Sequence, residues 1–296
     1  MKQHIFSGSA TALITPFSAD GKDVDYSFFE EFADEQIRRH TDALVVAGTT
    51  GESPVLSKEE KRNLIACCVQ TAANRVPVIA GTGSNDTAQA VRKSNDAEKQ
   101  GVDALLIVTP YYNKCTQQGL IDHYFFIADR VSTPIIVYNV PSRTGVDLTP
   151  ETCKALSEHK NICAVKEASG NLAKAGAITA LCGDSLAVYS GNDDVTVPVM
   201  SVGGKGVISV AGNIIPETMH EITKAAIKND FQKAAALQAQ VLDLMQALFL
   251  EVNPIPVKSA VEMLYSMPQA LRLPLTGMSE KNRKVLQTVL ERHSLV

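Results

Sequence analysis

Several common biases are missing from this chain of 296 residues. With a formal net charge of −4 it has no basic excess, so the electrostatic footprint of a nucleic-acid binder is absent. The six cysteines, Cys67, Cys68, Cys115, Cys153, Cys163 and Cys182, form no CxxC pair and no cysteine–histidine spacing suited to zinc, and read as reduced thiols. No apolar run approaches the ~20 residues a membrane helix needs. The opening MKQHIFSGSATALITPF lacks a secretory apolar segment with a cleavage site. Together these features predict a cytoplasmic protein with neither membrane nor nucleic acid as partner. There is no solenoid repeat, low-complexity tract or Gly/Ser linker. The stretch GTTGES lacks the P-loop lysine and any GxGxxG spacing, so it is a weak phosphate-cradle signal, and GTGSND and VGGKG read most simply as tight turns, with phosphate binding a minority reading.

Eight short apolar, β-branched runs are present, at 11–17, 43–48, 76–83, 104–112, 134–141, 162–169, 186–193 and 206–212. Between most of them lie amphipathic stretches with helical spacing, such as YSFFEEFADEQIRRH and SKEEKRNLIACCVQTAA. Continuous apolar runs suit parallel strands covered on both faces. Eight strand–helix units predict an α/β fold, a (β/α)8 TIM barrel, better than an open doubly wound sheet. The barrel core is expected over residues 1–215. A closing helix and a C-terminal helical extension are expected over 216–296, with FQKAAALQAQVLDLMQALFLE as one helix and NPIP (253–256) as punctuation between two others.

In such a barrel the chemistry gathers at the C-terminal ends of the strands. Residues 162–169, ICAVKEAS, place Lys166 at the end of an apolar run. Lys166 shares strand parity with Ala164 and Ile162, so all three are expected on one face, toward the interior. A desolvated lysine is available as the neutral amine that attacks a carbonyl and forms an imine. The other reading is a structural lysine paired with Glu167 or Asp193, or one reaching the rim. Tyr138, ending the fifth run, suits proton relay to such an adduct, or is an amphipathic tyrosine at a sheet end. Arg143 offers a fork for a substrate carboxylate, or a surface ion pair. Thr49 and Thr50, between glycines, suit a small carboxylate or a proton relay.

The motifs GTTGES, TPYYN, YNVPSRTG, AVKEASGN, GVISVAGN and NPIPVK, in this order, resemble the dihydrodipicolinate synthase family of the pyruvate-dependent class I aldolases, from about residue 7 to about residue 290. The resemblance implies that Lys166 forms the imine with pyruvate and Tyr138 shuttles its protons. It implies that Thr50 links Tyr138 to a second tyrosine and touches the pyruvate carboxylate. That second tyrosine, Tyr112, would reach in from a neighbouring subunit, with Thr49 alongside. Arg143 would hold the carboxylate of L-aspartate 4-semialdehyde, and Gly191 and, through its backbone, Ile208 would line the pocket. No cofactor or metal is implied, since the lysine imine serves as electron sink. A homotetramer, a dimer of dimers, is the implied assembly.

The SRTG arginine separates this pattern from N-acetylneuraminate lyases and keto-deoxy sugar acid aldolases, the nearest alternatives. A non-catalytic carboxylate sensor is disfavoured because lysine, both tyrosines, both threonines and arginine are all present. A phosphate-binding isomerase would want a catalytic Glu or His at a strand end, and His123, His159 and His220 lie elsewhere. Of the residues that bind L-lysine in feedback-inhibited members, Ser53, Asn85 and Tyr111 persist. Lys58 and Lys61 stand where histidines would, and Gln89 stands where a glutamate would. Weak or absent inhibition by lysine is expected.

Overall fold

The computed structural model describes residues 4–296. Eight parallel strands close into a barrel in sequence order. They are β1 (Gly8–Ala12), β2 (Ala43–Val46), β3 (Val78–Gly81), β4 (Ala104–Val108), β5 (Ile135–Asn139), β6 (Ile162–Glu167), β7 (Ala187–Ser190) and β8 (Gly206–Ser209). Side chains such as Ala10, Val45, Ile79, Leu106, Ile136, Ala164, Tyr189 and Ile208 fill the interior. A second apolar layer lies between the strands and the surrounding helices.

The first strand lies earlier than the apolar run 11–17 suggests. β1 is built of small residues, and beside it β8 begins on a glycine, since a Cβ on Gly206 would stand 1.9 Å from the carbonyl oxygen of Gly8. Leu13 and Ile14 lie beyond the strand. The Leu13 amide still donates to the Val45 carbonyl at 2.9 Å, and the Ile14 amide to Asn213 Oδ1 at 3.1 Å. Their apolar character comes from burial beneath the barrel's mouth.

Strand parity also needs one correction. The β5–β6 register shifts between Ile135 and Ile136, so that Ile135 faces Ile162 while Ile136 faces Ala164. The extra residue sends Ile162 into the outer layer and leaves Cys163 and Ala164 in the interior cluster. Lys166 keeps parity with Ala164. Its register partners on either side are Tyr138 and Tyr189.

After β8 the helix Pro216–Ile227 packs against the barrel, followed by Phe231–Gln240, Leu242–Ala247, Ile255–Tyr265 and Glu280–Arg292. The single helix expected over 231–251 is broken at Val241, which takes φ −117° and ψ 13°. The break re-aims the chain so that Met245, Gln246 and Phe249 reach the barrel's mouth. The helix starting at Ile255 begins within NPIP, with Pro254 as its N-cap and Pro256 in its first turn. Among the described residues no helix is long and apolar enough to cross a membrane.

Candidate active site

A cavity of about 360 Å3 opens at the C-terminal ends of the strands and is lined by Thr49, Thr50, Tyr138, Arg143, Lys166 and Gly191, among others. Six of the eight residues singled out in the sequence therefore meet in one place. The other two do not line it. Ile208 is fully buried in the interior, and the β8 side of the cavity is formed by Val210. Tyr112 is 92% exposed and takes a left-handed φ of 71°. A non-glycine residue in that region is uncommon, and the ring is not part of this chain's own cavity lining.

Lys166 is 6% exposed and forms no ion pair among the described residues. Burial lowers its pKa from the ordinary 10.5 to about 8, with Asp193 opposing and the Arg143 charge assisting. Its Nζ lies over the Tyr138 ring, 4.6 Å from the centroid. Neither of the two structural partners considered for it forms a salt bridge with it, although the Asp193 charge acts on it. Glu167 accepts hydrogen bonds from Asn139 Nδ2 at 2.7 Å and from the Ser169 amide at 2.6 Å. Asp193 accepts from the Val210 and Ala211 amides at 3.0 and 2.9 Å. Gly191 keeps the lysine's stem clear: a Cβ there would stand 2.4 Å from the Ala168 Cβ and 3.1 Å from the Lys166 Cε.

Burial raises the Tyr138 pKa, opposed by the Arg143 charge and by a hydrogen bond with Thr49, so the phenol stays protonated near neutrality. Thr49 is the threonine that bears on the Tyr138 phenol. The Thr50 oxygen instead accepts from Asn253 Nδ2 at 3.1 Å. Arg143 lies on the single helical turn Pro141–Thr144 after β5, and its Nη2 donates to the Asn253 carbonyl at 2.9 Å.

The loop carrying the threonines is pinned from beneath. Ala47 and Glu52 bracket it, both in left-handed backbone conformation. The Thr15 hydroxyl donates to the Gly51 carbonyl at 2.7 Å. Glu52 is buried and accepts from Lys258 Nζ at 2.7 Å and from the Arg272 amide at 3.2 Å. Lys258 also donates to the Ala270 carbonyl at 2.5 Å and sits over the Phe17 ring at 4.2 Å. Sequence reasoning missed Asn253 and Lys258, both supplied by the C-terminal segment. One signal was visible: Lys258 sits in the apolar stretch PVKSAV, the same anomaly that drew attention to Lys166.

A neighbouring cavity of about 450 Å3 is lined by Lys58, Lys61, Gln89, Lys93 and Tyr111. Lys58 pairs with Asp96 at 2.8 Å. Lys61 has its pKa lowered to about 8, first by burial and then by Lys93. Ser53 lines the cavity between this one and the Lys166 site. Among the described residues no group of three or more His, Cys, Asp or Glu side chains is arranged to hold a metal ion.

Residues 5–293 match the Dihydrodipicolinate synthetase family. The chain is 49% identical over 292 residues to 4-hydroxy-tetrahydrodipicolinate synthase 1 of Clostridium acetobutylicum, covering 99% of each chain. It is 51% identical over 286 residues to the 4-hydroxy-tetrahydrodipicolinate synthase of Caldicellulosiruptor saccharolyticus, covering 97% of this chain and 96% of the other. Among solved structures, the chloride-inhibited dihydrodipicolinate synthase of Acinetobacter baumannii, complexed with pyruvate, superposes with a TM-score of 0.97 at 41% identity. That match covers 99% of this chain and 100% of the other.

Proposed function

This chain belongs to the dihydrodipicolinate synthetase family, and we propose that its active site condenses pyruvate with L-aspartate 4-semialdehyde through an imine on Lys166. It is an enzyme, a lyase of the class I aldolase type making 4-hydroxy-tetrahydrodipicolinate on the route to diaminopimelate and lysine. The observation that carries the site assignment is Lys166 itself. It is a buried lysine with its pKa near 8, set over Tyr138 in a cavity that also holds a hydroxyl pair and an arginine.

The neutral Lys166 amine attacks the pyruvate carbonyl, and loss of water gives the protonated imine. Tyr138, with Thr49 at its hydroxyl, relays the protons of addition and dehydration. Thr50 donates to the pyruvate carboxylate. Loss of a methyl proton gives the enamine, whose carbon attacks the semialdehyde's aldehyde while Arg143 holds its carboxylate. The substrate amine then closes the ring at the imine carbon and releases Lys166. Because the imine accepts the electron pair, the step asks for no cofactor.

The exposure and backbone of Tyr112 support a role across a subunit boundary, completing the relay of a neighbouring copy in a tetramer built from two tight dimers. The protein acts in the cytoplasm. The basic lining of the cavity beside the site, with Lys61 and Lys93 facing it and no carboxylate at Gln89, supports weak or absent inhibition by L-lysine.

The assay is turnover with pyruvate and the semialdehyde, compared with cleavage of N-acetylneuraminate and of keto-deoxy sugar acids. The semialdehyde reaction is expected to dominate. Arg143→Ala should lose about 100-fold or more in kcat/KM for the semialdehyde, as for removal of a positioning charge, while the pyruvate adduct on Lys166 still forms. Unchanged semialdehyde kinetics would reject the assignment of Arg143.

A further inference from the structure

We propose that Asn253 is a positioning residue that sets the hydrogen-bond polarity of Thr50, making its hydroxyl a donor to the pyruvate carboxylate. This rests on the proposed function, in which that carboxylate sits at Thr50. Asn253 comes from the C-terminal segment, 203 positions from Thr50 in sequence, and is 6% exposed where it lines the cavity. It touches both carboxylate-binding groups with opposite polarity. Its amide Nδ2 donates to Thr50 Oγ1 at 3.1 Å, and its backbone carbonyl accepts from Arg143 Nη2 at 2.9 Å.

The chemistry follows from what a hydroxyl can do. A threonine oxygen carries one hydrogen and two lone pairs, and the hydrogen rotates to suit its surroundings. A hydroxyl that accepts a hydrogen bond on one side has its own hydrogen free for the other. Thr50 borders the cavity, so that hydrogen is available to an anion bound there. Chained hydrogen bonds polarise one another, so an amide donating to Thr50 makes it a better donor in turn. A carboxylate in the place of the Asn253 amide would do the reverse, drawing the Thr50 hydrogen away from the substrate. Asn253 grips Arg143 through its backbone, so a side-chain substitution acts on the pyruvate end and leaves the semialdehyde end in place.

The test is a double-mutant cycle on the pyruvate KM, using Asn253→Ala, Thr50→Ala and the pair, each folded as judged by circular dichroism. Alone, Asn253→Ala should raise the pyruvate KM about tenfold, the effect of one lost hydrogen bond at a buried site. In the Thr50→Ala background it should change the KM less than about twofold, because its route to the substrate is gone. The semialdehyde KM should stay within about twofold throughout. Additive effects on the pyruvate KM, or equal losses on both substrates, overturn the proposal. If Asn253→Ala does not fold, the near-isosteric Asn253→Asp replaces it in the same cycle. A larger rise in pyruvate KM that disappears with Thr50→Ala supports the inference, and a pyruvate KM at the wild-type value overturns it. Should the wild-type enzyme form no imine with pyruvate, the proposed function falls and this inference with it. If the imine forms and the cycle is additive, only this inference falls.

Discussion

Lys166 Nζ lies 4.6 Å from the centre of the Tyr138 ring, and the two residues face each other in register across β5 and β6. The lysine is buried and its pKa is about 8; the tyrosine's is raised, so one offers a free amine while the other retains a proton to give. At pH 7 a pKa of about 8 leaves roughly a tenth of the amine neutral, against less than about a thousandth for an ordinary lysine.

The rate of imine formation should therefore rise with pH and level off above about 8, as the Lys166 ammonium loses its proton. Pre-steady-state pyruvate binding followed between pH 6 and pH 10 measures this. A midpoint near the ordinary lysine value would show that burial does not tune the amine.

The Glu52–Lys258 pair gives a stability prediction. Both side chains are sealed from water, and Lys258 connects the threonine loop to the C-terminal helices. Lys258→Met leaves the Glu52 carboxylate buried without its cation and should cost about 3–5 kcal/mol. Glu52→Gln combined with Lys258→Met should recover part of that loss, since no unpaired charge then remains. Urea unfolding midpoints of the two variants against wild type decide it. A wild-type midpoint for Lys258→Met alone would contradict the pinning role.

L-Lysine should inhibit poorly. Its ammonium groups would meet Lys61 and Lys93 where a carboxylate is wanted, and Gln89 supplies none. Titration into the turnover assay should give no half-inhibition below about 1 mM, the equivalent of roughly −4 kcal/mol. Inhibition at micromolar lysine would show that the basic lining does not govern this cavity.

Most of the barrel is readable from periodicity, because parallel strands buried on both faces must be continuously apolar and the helices between them must be amphipathic. What escapes is what depends on closure and register. β1 is built of small residues, so the apolar run that overlaps its end mimics a strand. The register shift that turns Ile162 outward has no local signature. Lys166 stands out in the sequence because a lysine in an apolar strand is costly. Tyr138, Arg143 and the threonines stand out through their motifs. Asn253 and Lys258 are different: a turn asparagine and a helical lysine acquire their meaning only when the chain brings them back onto Thr50, Arg143 and Glu52.

The most direct test of the central claim is borohydride reduction in the presence of pyruvate, followed by intact mass and peptide mapping. The account predicts one reduced pyruvate adduct per chain, carried on the peptide containing Lys166 and absent from Lys166→Ala. No trapped adduct, or an adduct mapped to Lys258, Lys61 or any other lysine, would contradict it.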